Sequence, residues 1–138
     1  MELTSIDYAR LIQYAAQKQH MVLLNKTQIN KILFYVYGVY LAENQLPLFM
    51  DDTPKAWTYG PVFPRPNKSV DINEVIKSFP ADKVKAYKAN KKALDLVVKV
   101  VDRMYDKSAL PLSATITHSN IVCTIDNRTS NNFILFCS

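Results

Sequence analysis

Ile29, Ile32, Leu33, Val36, Tyr37, Tyr40 and Leu41 recur at three- and four-residue steps, which is the spacing of a single helix face. This stripe constrains the fold more than any other stretch. Phe34, Tyr35 and Val39 widen it until little of the helix is left polar, and a helix apolar on nearly all sides is stable only when other elements surround it. The pattern therefore predicts a central helix ending near Asn44. Thr27 is its expected cap and Asn25 the alternative start. The fold class that follows is mainly α (α+β), a compact helical domain around that helix, and 138 residues suffice for one such core.

The remaining helices are read the same way. A first helix is expected over about 6–19, capped by Ser5 with Asp7 in its first turn, where a negative charge suits the helix dipole. Its Tyr8, Leu11, Ile12, Ala15 and Ala16 share one face. Asp71 opens a short helix, Ile72 to Phe79, which Pro80 stops. A long last helix is expected from Val84 to Tyr105, packing through Leu94, Val97, Val98, Val101, Met104 and Tyr105. Leu110 to Ser113 can begin a further helix through His118. Beyond Asn120 the chain turns rich in Ser, Thr and Asn, with strands expected at 121–125 and 133–136 about an Asp126-Asn127 turn, or a disordered tail instead. Residues 1–118 are accordingly expected to form the domain and 119–138 an atypical tail.

Between Gln45 and Pro66 prolines punctuate short segments. A small β-hairpin or turn region is expected near 46–64, with Lys55 to Thr58 as one strand and Leu48 to Met50 as its partner. Within it, Gly60-Pro61 excludes a helix. Proline lacks an N–H and steers its neighbour out of the α region, while glycine there can take almost any backbone conformation. Trp57 and Tyr59 stand two residues apart, so an extended backbone would point both rings the same way.

Chemistry-bearing patterns are sparse. Cys123 and Cys137 form no CxxC pair, and His20 and His118 sit in no spaced ligand motif. Asp51 and Asp52 are adjacent, so on a strand they would point oppositely, and they read as a polar turn. No nucleophile–base pair, metal cluster or phosphate loop is visible, which argues for binding over catalysis. The reading is a protein that is not an enzyme and takes no cofactor or metal. No apolar run reaches the length of a membrane span and no basic start precedes an apolar stretch, so the expected location is cytoplasmic. The formal charge of +5 concentrates in Lys77, Lys83, Lys85, Lys88, Lys91 and Lys92. A solvated helix face is the plainer account, and a nucleic-acid footprint the alternative.

The runs Thr27-Gln28-Ile29-Asn30-Lys31-Ile32-Leu33-Phe34-Tyr35, Leu46-Pro47-Leu48-Phe49 and Ala56-Trp57-Thr58-Tyr59-Gly60-Pro61-Val62-Phe63-Pro64 resemble the SocA-like antitoxin family, also called the Panacea antitoxin domain. That family places a lysine on an aliphatic-aromatic helix ahead of an AWxxGPVxP segment. Members tend to end in a Ser-Thr-His segment and a tryptophan; here Thr117-His118-Ser119 matches the first part and no tryptophan follows. The resemblance implies an accessory protein of bacteria, phages or mobile elements that binds and neutralises a cognate protein toxin, in some relatives as an adaptor to a protease. A nucleic-acid-binding regulator using Lys77 to Lys92 is the alternative. Tyr59, Trp57, Val62 and Phe63 are the candidate partner-binding residues, and Lys31, Trp57, Gly60 and Pro61 the structural motif. Trp57 belongs to both sets, with the core role preferred, since a lone tryptophan in a small domain is usually an anchor. On that reading it locks the turn against the Ile29–Leu41 stripe and leaves Tyr59 to face a partner.

Overall fold

The computed structural model describes residues 2–58 and 60–106 in full and the backbone of 113–118, 121–129 and 132–137. Two long helices form its centre. Helix α1 runs Ser5–His20 and α2 Lys26–Asn44. Both start on capping boxes, Thr4 with Asp7 and Asn25 with Gln28, in which each side chain satisfies an N–H of the other residue. The caps are thus Thr4, one residue before the expected Ser5, and Asn25 in place of Thr27. Ser5 is buried instead, and Asp51 accepts hydrogen bonds from its backbone N and its Oγ, each at 2.8 Å.

The stripe on α2 packs as its spacing predicts. Ile29, Ile32, Leu33, Tyr35, Val36 and Val39 are all buried, most of them completely. Tyr40 is buried as well, Tyr37 is partly buried, and Leu41 reaches solvent at the helix end. After α2 the link through Leu48 and Phe49 turns into the core, where the Phe49 ring meets Tyr37 and Phe63 at 5.1 and 5.5 Å between centroids.

Strand β1, Lys55–Trp57, pairs antiparallel with β2, Gly60–Val62, with Trp57 opposite Gly60. The expected pairing of Lys55–Thr58 with Leu48–Met50 is therefore replaced by a hairpin closing on itself. Helix α3 follows at Pro64–Ser69, where only proline-rich turns were expected; Pro64 opens it because its missing N–H is one that a first helical turn leaves unpaired anyway. Residues 71–80 carry no helix beyond a turn at 72–73, contrary to the expected Ile72–Phe79 helix. Side chains of α1 take up their backbone groups instead.

Helix α4, Ala81–Ala89, and α5, Lys91–Met104, occupy the region expected to be one helix. Asn90 divides them. Its backbone leaves the helical region and its side chain accepts from Ala93 N, so it caps the second helix. Ala93, Leu96, Val97, Val100, Val101 and Met104 form the buried face of α5; Leu94 and Val98 of the expected stripe are only partly buried.

Ser113–His118 is strand β3, and the helix expected up to His118 is absent there. It pairs with β4, Ile121–Thr129, which pairs with β5, Asn132–Cys137, in one antiparallel sheet that lies alongside α2. Asp126 and Asn127 sit inside β4 rather than in a turn. The result is a mainly helical α+β architecture in which α1, α5, the hairpin and the sheet surround α2.

Candidate partner-binding face

The first turns of α2 carry the two polar residues that hold the hairpin. Asn30 and Lys31 are 3% and 5% exposed, although their neighbours Ile29 and Ile32 are core. The Asn30 amide is fully engaged. Its Nδ2 donates to the Lys26 carbonyl at 2.9 Å and to Asn67 Oδ1 at 3.1 Å, while its Oδ1 accepts from Phe63 N at 2.8 Å. One side chain thereby ties α2 to the exit of β2 and to α3. The buried Phe63 ring sits 5.5 Å from Tyr37 and fixes the same point from the apolar side.

Lys31 lies beneath the hairpin. A Cβ placed on Gly60 would stand 3.4 Å from Lys31 Cε, so β2 passes directly over the lysine stem. Burial removes water from the ammonium and lowers its pKa from 10.5 to about 8. Gly60 itself has φ +125, a conformation that side-chain-bearing residues rarely adopt.

The two strands of the hairpin are not equivalent. Gly60, Pro61 and Val62 are buried, whereas Lys55, Ala56 and Trp57 are exposed throughout. β2 lies on α2 and β1 flanks it on the solvent side. This places Trp57 at 47% exposure, in contrast to its expected place in the core; Gly60 and Pro61 fill the turn against α2 without it. The indole borders a cleft of about 290 Å³ whose other walls are Lys26, Thr27, Asn30, Pro61, Val62 and Asn67. Val62 and Phe63, expected to meet a partner, are buried at 8% and 0% exposure and support the face from below. Tyr59 lies outside the described residues.

Asn30, Asn67, Lys26 and Thr27 were not singled out as site residues in the sequence. For Asn30 a signal was present: an amide one turn into the most apolar helix of the chain must find partners when buried. The other polar candidates serve the scaffold. Asp51 binds Ser5 and lies 3.6 Å from Arg65 Nε, and Asp52 accepts from Thr53 N and Arg65 N, both at 2.8 Å. His20 meets Asp102 at 2.6 Å and stacks on Tyr105 at 3.6 Å between ring centroids. The side chains of His118, Cys123 and Cys137 lie outside the described residues. No helix among the described residues is long and apolar enough to cross a membrane.

Compared with protein-family descriptions, residues 29–123 match the one named "Antitoxin SocA-like, Panacea domain". The matched span runs from the first apolar residue of the α2 stripe through the hairpin, α3, α4 and α5 into β4. No curated protein and no solved structure matches the chain.

Proposed function

The chain belongs to the SocA-like antitoxin family defined by the Panacea domain, and from that premise we propose that it neutralises a cognate protein toxin by binding it on the face centred on Trp57. The carrying observation is the exposed indole on the outer strand of a hairpin whose inner strand is locked to α2. Tryptophan is among the residues most enriched at interface hot spots, and a rigid mount lowers the ordering cost of binding. Tyr59 joins Trp57 in this proposal on its place in the sequence motif. Lys31, Gly60 and Pro61 position the hairpin and do not themselves contact the toxin. The action is one of binding and not of catalysis. Transfer of the bound toxin to a protease is a second element of the proposal.

The test is co-expression with the protein encoded by the adjoining reading frame. That protein is expected to arrest growth alone and to be silenced by this chain, and Trp57→Ala is expected to lose the rescue while remaining folded. A non-toxic neighbour, or full rescue by the variant, refutes the assignment. The toxin's half-life in the same cells reads the adaptor element: it shortens when this chain is present if delivery to a protease occurs, and is unchanged if binding alone neutralises.

A further inference from the structure

The lysines of residues 77–92 play no part in the Trp57 face, and two of them line a second concavity. Between 77 and 92 there are six lysines against one acid, Asp82. Lys83 is neutralised by Asp7, whose Oδ2 lies 3.0 Å from its Nζ. Lys77 and Lys88 are exposed and form no ion pair among the described residues, and both stand on the rim of a groove of about 290 Å³. Its walls are Leu11 and Tyr14 of α1, Val84 and Tyr87 of α4, Leu94 of α5, and Phe79.

Phe79 belongs to the irregular segment that replaces the expected helix, and that segment is strapped to α1. Gln17 Oε1 accepts from Ile76 N and its Nε2 donates to the Glu74 carbonyl, each at 2.8 Å. Gln13 Nε2 donates to the Asp71 carbonyl at 3.0 Å, and Arg10 pairs with Glu74 at 3.1 Å. Arg10 also lies 5.7 Å from the Phe79 ring centre. Phe79 is thereby held edge-to-face against Tyr14 and Tyr87, each 5.2 Å away between centroids. The Tyr87 hydroxyl donates to the Asp7 carbonyl at 2.6 Å, so this aromatic wall is anchored at both ends. The groove exists before any ligand arrives.

We propose that this groove seats a segment of a protein partner in which acidic residues flank one aromatic or long aliphatic side chain. The apolar walls and the volume suit a single such anchor, whose ring or chain packs on the exposed parts of Phe79 and Leu94. Lys77 and Lys88 then meet the flanking carboxylates at the rim, where charge complementarity sets specificity and encounter rate. A nucleic-acid backbone needs a track of cations; here two lysines border an apolar pit and no arginine lies between 77 and 92. The proposal does not rest on the toxin reading, because it concerns a different face and is tested on the purified chain.

The experiment is selection of a random-sequence peptide library on the purified full chain, followed by anisotropy titration of the selected peptides. Selected sequences are expected to carry Asp or Glu around one Phe, Trp or Leu. Their affinity is expected to fall about tenfold or more in the Lys77→Glu, Lys88→Glu double variant. It should stay within about twofold in Lys91→Glu, Lys92→Glu, which reverses the same charge off the rim. All four lysines are exposed, so both variants should keep the wild-type circular dichroism. Selection without acidic bias overturns the proposal, as does equal loss in the two double variants. A single-stranded DNA oligonucleotide that binds through Lys77 and Lys88 while no peptide is selected overturns it in favour of a nucleic-acid face.

Discussion

Lys31 should impose a pH slope on stability. Its side chain is 5% exposed beneath Gly60, and burial lowers its pKa from 10.5 to about 8. In the unfolded chain the amine returns to its ordinary value, so between about pH 8 and 10.5 the unfolded state binds more protons than the folded one. Stability therefore rises with pH across that window. Below it the cost of a buried charge is present in full; above it the amine is neutral in both states. One pKa unit corresponds to about 1.4 kcal/mol, which bounds the cost at about 3.5 kcal/mol. Residual contact of the amine with water brings the gain expected between about pH 7 and pH 10 to about 2 kcal/mol. The buried tyrosines act with the opposite sign and only at the top of this window. Burial, reinforced by Tyr40, raises Tyr8 to about 12, and burial with Asp7 raises Tyr87 as well. Unfolded tyrosines ionise near 10, so the stabilisation from these two is intact below about pH 10 and lost only above it. Urea denaturation followed by circular dichroism at several pH values reads the effect. Wild type should gain resistance from neutral to alkaline pH, and Lys31→Met should flatten the rise. Contacts of the amine that methionine cannot replace offset the variant at every pH, so the slope carries the test and the midpoint does not. An equal slope in both proteins, or none in wild type, refutes the argument that the hairpin rests on a desolvated ammonium.

Asn30→Leu leaves Phe63 N without its 2.8 Å acceptor in a buried place, at an expected cost of about 1–3 kcal/mol in urea unfolding. Gly60→Ala should cost about 1–3 kcal/mol through backbone strain at φ +125; the 3.4 Å approach to Lys31 Cε is near ordinary contact and contributes little. Trp57→Ala should change stability by less than about 1 kcal/mol while weakening toxin binding at least about tenfold, read by titration calorimetry with the purified toxin.

The α2 stripe was legible because helix periodicity and burial coincide over its central turns. Trp57 was misplaced because the one tryptophan of a small domain was assigned to the core on residue type, without regard to which strand of the hairpin carries it. Here the whole of β1 is the outer layer and the whole of β2 the inner, so exposure is decided by strand and not by parity. The broken last helix had a readable cause: Asn90 stands three residues before Ala93, a good cap position in the middle of an otherwise helical pattern. The 71–80 strap had none in its own residues. Its hydrogen-bond partners are Gln13 and Gln17, 57 to 59 residues away in sequence, and no local signal encodes such a pairing. Strand β3 was mistaken for helix despite Thr115, Ile116 and Thr117, whose branched side chains favour strands.

Two three-residue strands cannot hold an exposed tryptophan in place by themselves, since an isolated hairpin is marginal in water. The chain solves this one layer down. Phe63 plugs the core at the end of β2, the Asn30 amide captures Phe63 N at the same point, and Gly60 lets the strand close over Lys31. Asn30 is fully hydrogen-bonded, so its burial costs little, whereas the Lys31 ammonium remains a net expense at neutral pH. Methionine would fill much of the same space with no charge to desolvate, at the loss of the contacts that the amine makes. Desolvation and those contacts oppose each other in stability, and the family resemblance places a lysine at this position together with the segment that bears Trp57. If the lysine seats that segment for a partner, Lys31→Met should lose toxin rescue while circular dichroism shows it folded. A folded variant that rescues fully would show that the lysine does not serve the partner face.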